Sequence, residues 1–139
     1  MSGLAGILAG HHGAGVYRWH AAFDVADVRH TVEHAGWRFG HVDGWVHQDR
    51  AGFLADVGTA LSFPAWYGEN FDALTDCLRD LDGRTVLLWD GWGTLARGDR
   101  SAFDTAVDVL SSRATSPEQP FVALLRGEGP DIEVTSLDD

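Results

Sequence analysis

Lysine is absent from this chain of 139 residues, and ten arginines stand against 21 Asp and Glu. The formal net charge of −11 argues against direct binding to nucleic acid, because phosphates are neutralised by Lys and Arg. It argues equally against docking on an anionic membrane surface. A basic protein is the natural complement. Cysteine is nearly absent too. Cys77 stands alone, so it forms no internal disulfide and folding does not depend on an oxidising compartment. No His is close to it in sequence, and a buried structural thiol is the expected role. Long apolar runs are missing, and none reaches the roughly 20 residues of a membrane span. Leu4 to Leu8 is apolar, but it lacks a basic flank and is too short for a signal peptide. A cytoplasmic location is therefore expected. There is no P-loop, no Gly-rich dinucleotide turn and no Cys-rich zinc site, so neither a cofactor nor an enzymatic activity is expected.

What is present is enough apolar material, 45% of the chain, for one domain around one core. The most informative stretch runs from Trp66 to Leu81. Read as a helix at about 100° per residue, it splits into two opposed faces. Phe71, Leu74, Leu78 and Leu81 fall on one side, and Glu69, Asp72, Asp76 and Asp80 on the other. Like charges at such spacings destabilise an isolated helix. The stripe is read either as an ordinary solvated face or as a surface shaped for a basic partner.

The order of residues weighs between these readings. Tyr67-Gly68-Glu69-Asn70-Phe71-Asp72-Ala73-Leu74, preceded by Phe63-Pro64 and followed by Asp76-Cys77-Leu78, closely resembles the signature of the barstar family of intracellular ribonuclease inhibitors. That resemblance implies an α/β fold, a small parallel β-sheet packed with helices. Matching elements occur in order. A short strand ends in Val42-Asp43-Gly44, and a helix follows over 50–60 with Phe53, Leu54 and Val57 as its apolar positions. After the motif helix come a buried strand over 84–89 and a helix over 99–113 with Phe103, Ala106, Val107 and Leu110 inward. A last strand spans 121–125. The barstar-like core is thus expected over 42–126.

Ahead of it lies an extension, residues 16–41, that the resemblance does not explain. It reads as a strand at Val16 to Trp19, an amphipathic helix over 24–35 and a second strand over 37–42. Such a β-α-β unit predicts a right-handed crossover onto the sheet edge. Together, 16–126 makes one domain. Residues 1–15 are expected as a disordered tail, and 127–139 as a mobile acidic tail.

One competing motif is His30-Thr31-Val32-Glu33-His34, an H-x-x-E-H zinc pattern. Two imidazoles four residues apart can share one metal. Plotted on the helix, however, both lie opposite Val25 and Val32, on the solvent side, so no metal centre is expected.

The resemblance also implies a mechanism. Ribonucleases of the barnase type hold RNA phosphates with Arg, Lys and His, and an inhibitor can place carboxylates where the phosphates would sit. By this resemblance Asp76 enters the phosphate pocket, and Asp72 adds a second carboxylate one turn earlier. Asn70 and Gly68 touch the enzyme with short groups and backbone, and Trp66 stands in for a tyrosine packing on the active-site histidine. The implied partner is a basic secreted or toxin ribonuclease. A non-inhibitory module binding another basic protein is the alternative. Two departures stand out: Thr75 replaces an interfacial tryptophan, and Arg79 replaces a small polar residue. Asp104 and Asp108 lie on the penultimate helix, where the family supplies a further glutamate, but neither is aligned with it.

Overall fold

The computed structural model describes residues 2–45, 48–115 and 119–137. Its centre is a five-stranded, wholly parallel sheet in the order β2-β3-β4-β1-β5. The strands are β1 (Gly15–Trp19), β2 (Arg38–Asp43), β3 (Thr85–Asp90), β4 (Phe121–Arg126) and β5 (Thr135–Leu137). Among the described residues, six helices connect or flank them: α1 (Ser2–Leu8), α2 (Val25–His34), α3 (Arg50–Ala60), α4 (Phe71–Arg79), α5 (Gly93–Gly98) and α6 (Arg100–Ala114). The α/β class, the parallel sheet and the barstar-like order of elements follow the expectation.

Successive residues of a strand point to opposite faces, and here both faces are buried. Leu87, Trp89, Phe121, Ala123 and Leu125 face one core, closed by α3, α4, α5 and α6. Val86, Leu88, Val122 and Leu124 face the other, closed by Leu4 and Ile7 of α1 and Val28 and Val32 of α2. The barstar-like core contributes the first cluster, and the N-terminal segment closes the second.

Two expectations need correction. Residues 1–15 are not a featureless tail, since α1 buries Leu4 and Ile7 completely or nearly so. A helix of seven residues is unstable alone, and its apolar i, i+3 pair gains only by packing on the sheet. The C-terminal tail supplies β5, which pairs with β1 and buries Leu137. Met1, Asp138 and Asp139 lie outside the described residues of these two tails. The β-α-β unit does reach a sheet edge, at β2, but β1 is not its neighbour. It inserts between β4 and β5, so α2 carries the chain over two strands to the opposite edge. Periodicity names the elements but not their pairing. In the folded chain Arg126 ties the segment after β1 to the end of β4 through its guanidinium.

Arg126 belongs to a charged cluster at the carboxyl ends of the strands. Asp43, Asp90 and Arg126 lie in register across β2, β3 and β4. Arg126 donates to Asp90 through Nε (2.6 Å) and a terminal nitrogen (3.0 Å). His41 Nε2 lies 2.8 Å from the same carboxylate. Arg126 also donates to the carbonyls of Phe23 (2.7 Å) and Ala21 (3.3 Å). Burial alone would raise the Asp90 pKa, but hydrogen bonds from His41 and Arg126, with the Arg126 charge, hold it below the usual value. Its stabilisation is therefore fully present above the ordinary Asp pKa of about 3.9, and is lost as acid protonates it through the lower folded value. Asp90→Asn is expected to cost roughly 2–4 kcal/mol at neutral pH, because Arg126 stays buried without its counter-charge. In melting curves across pH, the gap to wild type should narrow below pH 4. A gap independent of pH would rule out the charge as its origin.

Candidate partner-binding site

The acidic stretch is helical only from Phe71, and Asn70 explains why. Asn70 is extended, and its side-chain oxygen accepts a 2.8 Å bond from Ala73 N–H, capping α4. Trp66 to Glu69 form the loop before it. Glu69 takes a left-handed conformation (φ 54°), and it lines a shallow depression with Asp49, Arg50 and Asp99. It thus leaves the stripe on which helical periodicity placed it. Asn70→Ala is expected to destabilise the protein by about 1 kcal/mol. Urea unfolding measures this, and no change would mean that the cap carries no weight.

The loop is anchored from beneath. Tyr67 donates its hydroxyl to the Leu54 carbonyl at 2.8 Å, and its ring meets Phe63 edge-on at 4.9 Å. Gly58 makes room for it, since a Cβ there would lie 2.7 Å from the Tyr67 ring. Burial pushes the Tyr67 hydroxyl well above its ordinary pKa. Arg50 lies over the Phe71 ring at 5.2 Å. Tyr67 and Phe71 serve the scaffold.

On α4 itself Leu74, Cys77 and Leu78 are buried, and Asp72, Thr75, Asp76, Arg79 and Asp80 are exposed. The Cys77 thiol is raised by burial and then by the charges of Asp80 and Asp76, which fits a structural group rather than a nucleophile. Asp80 closes the helix as its C-cap. Asp76 lies 3.4 Å from Arg79, one turn on, with side chains 55% and 70% exposed. All five residues expected to meet a partner are exposed: Trp66, at 58%, with Gly68 and Asn70 in the loop, and Asp72 and Asp76 on the helix. Asn70 has a structural role that the sequence reading did not assign.

Asp104 and Asp108 lie on α6, the last of the described helices rather than the penultimate one, and they point elsewhere. Asp104 and Asp108 line a groove of about 710 Å³ with Asp131 and Glu133 of the C-terminal segment, and Arg100 pairs with Asp104 at 2.9 Å. The side of α6 facing α4 carries Val109, Ser112 and Arg113 instead. His30 and His34 are exposed on α2 with rings 5.8 Å apart, and Glu33 is 3.8 Å from Arg29. Among the described residues no helix is long and apolar enough to cross a membrane.

Among curated proteins, no relative matches the sequence. Residues 37–126 match the family described as Barstar (barnase inhibitor). The match begins at the approach to β2 rather than at residue 42, and ends with β4. It takes in the capped α4 and its acids. With well over half of its length matched around this helix, the chain belongs to the barstar family.

Proposed function

We propose that this protein inhibits a barnase-type ribonuclease inside the cell that makes it, by seating the acidic face of α4 in the enzyme's basic site. The observation that carries the reading is the pair Asp72 and Asp76, exposed one turn apart on a helix whose other side is fixed in the core. A helix so anchored presents its carboxylates with little ordering cost, and preorganisation of this kind favours affinity. Bidentate pairs to arginine are the bonds that such carboxylates make best. The exposed Trp66 suits a flat contact at the rim, as aromatic anchors do in tight interfaces. Net charge of −11 speeds encounter with a basic enzyme.

RNA cleavage by a barnase-type ribonuclease, titrated with the protein and with Asp76→Ala, tests the reading. Stoichiometric inhibition by wild type and its loss in the variant are expected. No inhibition by wild type would overturn it for this enzyme class.

A further inference from the structure

Beside the acidic face, between α4 and α6, lies a groove of about 350 Å³. Its floor is apolar, made by Leu78, Leu81 and Val109, and Thr75, Ser112 and Arg79 stand on its rim. Arg113 adds a second guanidinium, bonded to the Leu78 and Gln119 carbonyls. None of its described lining residues carries a carboxylate, although the chain holds 21 acids and only ten cations. The charge of the surface therefore reverses within one helical turn, from Asp76 to Arg79.

Among the described residues Arg79 has no deep attachment. Its side chain is 70% exposed, and the contact with Asp76 is a surface pair at 3.4 Å. Such pairs hold weakly in water. In a closed interface the balance changes, because a cation placed against cations is costly once water leaves. Asp76 cannot be engaged by a basic site without bringing Arg79 to its margin.

We propose that Arg79 and the adjoining groove set partner specificity: they select against a ribonuclease whose contact surface is basic throughout, and for one that places a carboxylate side chain over the groove. The stem of that side chain would rest on Leu78, Leu81 and Val109, and its carboxylate would meet Arg79 as the Asp76 contact is exchanged for the enzyme's arginine. This rests on the inhibitory reading and names the partner surface that it requires.

The test titrates a barnase-type ribonuclease with a basic rim against wild type, Arg79→Ala and Asp76→Ala. Arg79→Ala is expected to tighten inhibition about fivefold at low salt, and the gain should shrink at high salt. Its melting temperature should be unchanged, given the exposure of Arg79. A Lys→Glu and Arg→Glu scan of the enzyme's rim should then return a change that tightens binding of wild type but not of Arg79→Ala. Inhibition by wild type that is lost in Asp76→Ala, with Arg79→Ala equal to or weaker than wild type, overturns the specificity inference alone. A scan with no reversal dependent on Arg79 does the same. No inhibition by wild type or by Arg79→Ala overturns the inhibitory reading and this inference with it.

Discussion

A chain beginning at Trp37 is expected not to reach a stable fold, although it retains the whole family match. Removing residues 1–36 uncovers the second face of the sheet, where Phe39, Val86, Leu88, Val122 and Leu124 are at most 4% exposed. Burying an apolar side chain of this size is worth about 1.5–3 kcal/mol. Five of them together rival the roughly 5–15 kcal/mol by which a domain is stable at all. The deletion also takes away β1, leaving β4 as an open edge, and strips Arg126 of the Ala21 and Phe23 carbonyls. Open apolar edges pair with other chains. The truncated protein should aggregate or bind a hydrophobic dye, and should show no cooperative urea transition. A cooperative transition with the wild-type midpoint would show that the family core stands alone and that the N-terminal segment is an ornament.

Asp76→Ala is expected to give the second large effect, and on the inhibitory reading it falls on binding rather than on folding. Truncating one partner of a buried interfacial charge pair costs about 2–5 kcal/mol, a range that draws on barnase–barstar measurements and so is not independent of this family. In affinity this is a loss of roughly thirtyfold to a few thousandfold. In the free protein Asp76 touches only solvent-exposed Arg79 among the described contacts, and exposed pairs contribute about 0–1 kcal/mol. Alanine is also a better helix former than aspartate. The melting temperature should therefore hold while inhibition disappears, which calorimetry beside the cleavage assay would show. A drop in both would mean that Asp76 supports the fold, and its carboxylate would no longer be assigned to a partner.

What was legible in the sequence was what repeats with a local period. Phe71, Leu74 and Leu78 against Asp72 and Asp76 announce α4, and the unbroken Val86-Leu87-Leu88-Trp89 announces a strand covered on both sides. Periodicity alone starts α4 too early, because Trp66 to Glu69 continue the pattern by chance. The Asn70 cap and the left-handed Glu69 end the helix by backbone geometry that periodicity does not register. Asp90 was harder still. Before Gly91 it reads as a turn residue bounding a strand, and only the register of three strands brings Arg126 and His41 to it. The groove beside α4 was beyond reach for the same reason, since Val109 and Ser112 meet Thr75 and Arg79 only once two helices have packed.

The place of β1 in the sheet also governs when the molecule can exist. Ala21, just beyond that strand, bonds Arg126 across 105 positions of chain. At roughly 5–20 residues per second of synthesis, its partner emerges on the order of ten seconds later. Until then the first strand has no neighbour on either side, since β4 and β5 both come from the last part of the chain. Parallel pairings of such separation are slow to nucleate, because the loop must close before any bond rewards it. Assembly therefore waits on late synthesis: α4 has a finished platform to stand on only once β4 has left the ribosome.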